Sequence, residues 1–213
     1  MQILKLDSLD FSDVVEKLRN GFTIVYPTET CYGLGCDARN NEAVEKVAKI
    51  KQRPPSSRFG QDCGVASKPF LVVVPDAAMA LRYLEWSPKL QELADKYWPG
   101  ALTIVALAKD NCGLASGVVA ADGTVAFRVT SHPIAARLSR ELDAPLVSTS
   151  ANISGQEQPY SVEAVQRYFA SQPNQPDIII DAGELPQRAP STIVRVVDGK
   201  VEVVREGEVV VNF

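Results

Sequence analysis

The chain has 213 residues, 46% hydrophobic and 23% charged, with 14 Pro and 13 Gly; this ordinary globular composition excludes disordered, collagen-like and disulfide-stapled classes. Its 22 basic and 26 acidic residues leave a net charge of −4, which argues against a globally basic nucleic-acid coat protein but leaves room for a local basic patch. The longest apolar run, residues 101–108, falls well short of the roughly 20 residues that span a bilayer, and Met1, Gln2, Ile3, Leu4 and Lys5 open no signal-peptide pattern, so a cytoplasmic protein with no membrane segment is expected.

Short apolar runs alternate with helical stripes, without repeats or a long linker, which predicts one α/β domain over residues 1–213. Phe11, Val14, Val15 and Leu18 make a helical stripe closed at Gly21, and residues 22–26 read as a buried strand ending at Pro27. A second helix is predicted over 41–52, with Val44, Val47 and Ala48 inward and Pro54 and Pro55 as its stop; strand 70–74 follows. Ser87 and Pro88 read as the cap and first residue of a helix with Leu90, Leu93, Ala94 and Tyr97 inward, ended by Trp98, Pro99 and Gly100. Strands 102–107 and 124–129 come next. A helix carrying Ile134, Ala135, Leu138 and Leu142 then leads to strand 145–148. Ser161 caps a helix bearing Val162, Val165 and Phe169. Strands 178–180, 192–197 and 201–205 complete the chain, the last two joined by an Asp198-Gly199 hairpin turn.

The chemistry-bearing residue types are few. Cys31, Cys36, Cys63 and Cys112 have no zinc-type spacing, and the sole histidine, His132, precedes Pro133 and reads as a helix cap. Cys31 and Cys36 read as small core residues. Between positions 46 and 58 lie Lys46, Lys49, Lys51, Arg53 and Arg58 with no acidic residue. Lys46 and Lys49 fall on the polar face of their helix. Lys51 instead follows Val44, Val47 and Ala48 at helical spacing, so its stem joins the buried stripe and its ammonium needs a partner or a ligand. With Arg53 it could embrace a polyphosphate. Two strand-to-loop segments are rich in small polar residues: Pro27, Thr28, Glu29, Thr30, Cys31, Tyr32, Gly33, Leu34, Gly35, and Ser148, Thr149, Ser150, Ala151, Asn152, Ile153, Ser154, Gly155. Each is compatible with a turn alone, but strand ends of α/β sheets are where ligands bind. Arg128 lies in Ala126, Phe127, Arg128, Val129, where alternation leaves open whether it faces solvent or a site.

Those two segments, together with Lys51-Gln52-Arg53, the run Trp98, Pro99, Gly100, Ala101, Leu102, Thr103, and Pro190, Ser191, Thr192, Ile193, Val194, resemble the YrdC-like threonylcarbamoyl-AMP synthase family in order and approximate spacing, over about residues 10–205. The resemblance implies a single-domain α/β fold, a twisted mixed sheet with flanking helices and a concave, positively charged groove. It also implies that L-threonine, bicarbonate or CO2, and ATP are converted to threonylcarbamoyl-AMP and pyrophosphate for threonylcarbamoyladenosine formation in tRNA. Carried over position by position, Lys51, Arg53, Ser150 and Asn152 are the expected catalytic and ATP-binding set, with Thr124 and Arg205 as further ATP contacts. Thr30, Arg128, Ser148 and Ser191 correspond to the threonine pocket. Mg2+ is expected with ATP, no protein metal site is expected, and tRNA or double-stranded RNA and a downstream threonylcarbamoyl transferase are the implied partners. A non-catalytic RNA-binding relative and a domain using another carbamoyl donor are the competing readings.

The sequence departs from the family pattern where Lys68-Pro69 follows Lys51-Gln52-Arg53 only after an extra stretch, residues 54–67. That stretch reads either as a lid over the nucleotide or as a surface insertion. Thr130 stands where the family usually has Pro.

Overall fold

The computed structural model describes residues 1–53, 68–197 and 199–212. The 54–67 insertion and Asp198 of the expected hairpin turn lie outside the described residues.

The described chain runs β1 (Gln2–Lys5), a short 3-10 turn, α1 (Phe11–Arg19), β2 (Ile24–Pro27), β3 (Tyr32–Gly35), α2 (Asn41–Ile50), β4 (Leu71–Val74), α3 (Ala77–Tyr83) and α4 (Pro88–Tyr97). It continues with β5 (Leu102–Leu107), β6 (Thr124–Val129), α5 (Pro133–Leu142), β7 (Leu146–Ser150), α6 (Val162–Phe169), β8 (Ile178–Asp181), β9 (Thr192–Val197) and β10 (Lys200–Arg205). The strands form one ten-stranded mixed sheet in the order β1-β8-β2-β3-β7-β4-β6-β5-β9-β10.

The pleat decides what packs where. Side chains alternate faces along a strand, so Ile24 and Tyr26 of β2 and Ile178 and Ile180 of β8 join Val14, Leu18, Leu138 and Leu142 of α1 and α5 on one face. Val25 and Ile179, their neighbours, join Val47 of α2, Tyr83 of α3, Leu90 of α4 and Phe169 of α6 on the other. Strand β4 splits the same way, Val73 to the first layer and Val72 and Val74 to the second. Past β4 the first layer's apolar packing stops. Leu102 and Ile104 of β5, Val125 and Phe127 of β6 and Val194 of β9 all belong to the second layer. The opposite face of β5 and β6 carries Thr103 and Arg128 instead, both buried. A polar sheet face beside a helical layer that ends is the setting of the site.

Local chemistry sets the helix starts. Asp10 accepts from the N–H groups of Ser12 and Asp13, Asn40 from Ala43, Ser87 from Leu90 and Ser161 from Ala164. His132 caps α5 as expected, its ring nitrogen accepting from Ile134 N ahead of Pro133.

Several boundaries differ from the sequence reading. The first buried strand begins at Ile24 rather than residue 22, with Phe22 exposed. Helix α2 ends at Ile50 rather than 52, because Gln52 turns left-handed (φ 51°) and the Arg53 N–H reaches back to Ala48 O at 3.0 Å, a Schellman-type closure. Strand β7 extends to Ser150. Strands β1 and β3 and helix α3 were not anticipated. No helix among the described residues is long and apolar enough to cross a membrane.

Candidate active site

The α2 closure and the turn after β7 are stitched into one unit. The Lys51 side chain is buried, and its Nζ donates to Ser150 O at 2.7 Å, Asn152 O at 2.6 Å and Asn152 Oδ1 at 2.5 Å. An ammonium has three N–H bonds, so this cage takes all of them. Asn152 is equally committed: its Oδ1 also accepts from Ser150 Oγ at 2.7 Å, and its Nδ2 donates to Gln156 O at 2.6 Å and Glu157 O at 2.9 Å. The return link runs through Lys51 O, which accepts from Ser154 N and Ser154 Oγ. The partner that burial of Lys51 demanded is therefore the backbone of the second polar loop. Burial, reinforced by the charge of Arg53, pulls the Lys51 ammonium down to about 7.

Arg53 is held more loosely. Its guanidinium lies 4.6 Å from the Phe70 ring centroid and donates to Thr149 Oγ1 at 3.3 Å. Lys46 and Lys49 sit on the exposed face of α2.

The first polar loop turns on Thr28, whose Oγ1 donates to Cys31 O at 2.7 Å and lies 3.2 Å from Thr30 Oγ1. Thr30 is buried, as are Cys31 and Cys36. Burial pushes the Cys31 thiol up to about 11, against the smaller pull of the Thr30 hydrogen bond and of the Arg128 and Lys51 charges. The thiol stays protonated, and both cations act on this one point between the loops. Ser148, also buried, lies beside the Tyr26 phenol, whose O–H donates to Val147 O at 3.0 Å.

The remaining expected residues come from the other half of the sheet. Ser191 Oγ is 2.9 Å from Thr103 Oγ1, while Ser191 O accepts from Arg205 Nη2 at 2.6 Å and Nε at 3.2 Å. Burial and then the charge of Arg128 lower the Arg205 guanidinium from its usual value, which associates these two arginines. Arg128 is buried with its Nε 3.2 Å from Glu29 Oε1. Thr124 is bound elsewhere: its hydroxyl donates to Asp122 Oδ1 at 2.7 Å, and the other Asp122 oxygen pairs with Arg195. The structure thus joins Lys51, Ser150 and Asn152 directly, pairs Ser191 with Arg205, and leaves Thr124 in a separate strand-end cluster.

Sequence reasoning missed Glu29, Thr103 and Thr149 as neighbours of the site. A carboxylate set between two threonines straight after a fully buried strand was the available signal for Glu29. Among the described residues no group of three or more His, Cys, Asp or Glu side chains could hold a metal ion.

A family model described as Telomere recombination, Sua5_yciO_yrdC, matches residues 16–207. A threonylcarbamoyl-AMP synthase of Pseudoalteromonas translucida is 34% identical over 198 residues, covering 92% of this chain and 97% of its own. One from Idiomarina loihiensis is 37% identical over 149 residues, 68% of this chain and 73% of its own. Among solved structures, P. abyssi Sua5 complexed with L-threonine superposes with a TM-score of 0.81 at 26% identity, over 97% of this chain and 58% of that one. E. coli YciO superposes with a TM-score of 0.77 at 27% identity, over 97% of this chain and 94% of that one.

Proposed function

The chain belongs to the Sua5–YciO–YrdC family, and from that premise we propose that it is a threonylcarbamoyl-AMP synthase, consuming L-threonine, bicarbonate or CO2, and ATP, and serving threonylcarbamoyladenosine formation in tRNA. The observation that carries this reading is the near full-length likeness to a protein named for that activity. The caged Lys51 turn and the buried Arg128 beside Glu29 are compatible with such a reaction.

Two bonds have to form. The threonine amine adds to the carbon of CO2 and gives up a proton, leaving a carbamate. A carbamate oxygen then attacks the α-phosphorus of ATP, the bond to the β-phosphate oxygen breaks, and pyrophosphate leaves with the electron pair. No protein nucleophile takes part, so catalysis rests on positioning and charge stabilisation. In this reading Arg128 takes the threonine carboxylate, with Thr30, Ser148 and Ser191 around the rest of the amino acid. Arg53 and Arg205 receive phosphate charge. Lys51 adds its charge through space while its cage fixes Ser150 and Asn152 against the nucleotide, and Thr124 contributes through its strand end. Mg2+ would accompany ATP as the counter-ion of the triphosphate, offsetting phosphate charge during the attack. The product is a mixed anhydride, an activated acyl donor that a transferase acting on tRNA would consume.

The test is pyrophosphate release by the purified protein with MgATP, bicarbonate and one amino acid at a time. Release that depends on threonine is expected. Release indifferent to threonine, or none beside tight RNA binding, would overturn the reading in favour of an RNA-binding relative. Arg53→Ala should lower turnover by about 10²-fold or more, the usual cost of losing one preorganised charge contact, with the melting temperature little changed; near-normal turnover would remove Arg53 from the ATP site.

A further inference from the structure

Glu29 has no part in the reaction as described above, yet it is the only carboxylate in ion-pair contact with a cation of the expected site among the described residues. Its side chain is 8% exposed and that of Arg128 4% exposed, with Oε1 and Nε 3.2 Å apart. The other oxygen is anchored from outside the pocket: Oε2 accepts from Thr130 Oγ1 at 2.7 Å, and the same hydroxyl oxygen accepts from His132 N at 3.1 Å, at the cap of α5. The carboxylate is thereby tied to the end of β6 and the start of α5.

The contact with Arg128 is close but unfinished. Glu29 Oε1 and Arg128 Nε are both buried, and among the described residues neither has a hydrogen-bond partner. Two charged groups held near each other without an aligned bond stabilise the fold little, since desolvation offsets most of the attraction. A pair kept under those terms is explained by what the guanidinium has to do. The ion-pair contact runs through Nε, along one edge of the guanidinium; the Nη pair is the two-pronged end by which an Arg fork binds a planar anion through two parallel bonds.

We propose that Glu29 is a positioning residue for substrate binding: through the Thr130–Glu29–Arg128 chain it holds the Arg128 guanidinium by its Nε edge, so that the Nη pair meets the carboxylate of the amino-acid substrate. This rests on the reading that threonine binds at Arg128. Binding of that carboxylate completes the site, drawing the guanidinium into line so that Nε–H bonds Oε1.

The test is steady-state kinetics with threonine and ATP varied separately. Glu29→Gln keeps the shape and a carbonyl for Thr130 but removes the charge; it should raise the threonine KM about tenfold or more, with the ATP KM within about twofold and kcat at saturating threonine falling far less. Thr130→Val, which leaves Glu29 charged but loosens it, should raise the threonine KM in the same direction by a smaller factor. It also decides the case if Glu29→Gln fails to fold. A Glu29→Gln protein whose two KM values rise alike, or whose melting temperature falls while the threonine KM stays put, overturns the inference, as does an unmoved threonine KM in Thr130→Val. Arg128→Lys separates the two levels. If it leaves the threonine KM unchanged, threonine does not bind at Arg128 and the underlying reading fails; if it raises that KM while Glu29→Gln does not, only the role of Glu29 fails.

Discussion

Lys51 shows how much one residue can hold. Its three donors go to Ser150 O, Asn152 O and Asn152 Oδ1, 99 to 101 positions further along the chain. A neutral amine keeps only two N–H bonds for those three acceptors, so the full cage belongs to the protonated form. Burial lowers the proton affinity to about 7, whereas in the unfolded chain a lysine holds its proton to about 10.4. Between these values the unfolded state binds more protons, so this group makes stability rise with pH from about 7 to about 10, and below 7 its full penalty is present. Melting temperatures measured across that window should climb less steeply in Lys51→Met than in the parent; parallel slopes would mean that Lys51 titrates normally. The burial of Lys51 was legible from its place on the α2 stripe. For Glu29 the local signal gave only its place beside a buried strand end; its pairing with Thr130, 101 positions away, is one that no local pattern reports. Arg128 was half legible: strand alternation gives two faces, and only the limited reach of α1 and α5 across the sheet decides which face is polar.

At the scale of elements, the helices with strong signals were the readable ones. Ser87-Pro88 and His132-Pro133 each combine a cap with a fixed φ, and α4 and α5 start where those pairs place them. Strand β3 escaped because its sequence, Tyr-Gly-Leu-Gly, carries two glycines that weaken strand propensity, and only its position between β2 and β7 makes it a strand. One of those glycines is obligatory. A Cβ on Gly35 would lie 1.8 Å from Val147 O, a clash with backbone that no rotamer relieves. Gly35→Ala should therefore cost about 3 kcal/mol or more in denaturant unfolding. At Gly155 (φ +87°) a Cβ meets nothing within 4 Å, so Gly155→Ala should cost only the left-handed backbone penalty, about 1–2 kcal/mol. Equal losses at the two positions would contradict the close approach of β3 to β7. Strand β1, mostly exposed, and the short α3 offered no pattern to read, since an edge strand needs only one neighbour and a seven-residue helix completes barely two turns.

Across the whole molecule the sheet is best protected in its middle. Strands β2, β3, β7, β4 and β6 each have a neighbour on both sides and keep largely buried side chains, so their amides should exchange with deuterium last. Exchange should begin at β1 and β10, the two edges, where Ile3 and Val204 are 42% and 55% exposed. Protection of β10 equal to that of β7 would mean that something covers that edge in solution. The same strand order has a consequence in time. Strand β2 lies between β8 and β3, and Thr23 just before it is tied to Asp177, 154 positions later. During synthesis on the ribosome, a nascent chain that has emerged only as far as Pro145 has an α2 whose Lys51 meets no cage and a β2 with one flank unpaired. Ser191 and Arg205 arrive later still. The site is therefore assembled in stages as the chain emerges, the Lys51 cage first and the Ser191–Arg205 contact afterwards, and a nascent polypeptide that has not yet exposed Arg205 holds only part of it.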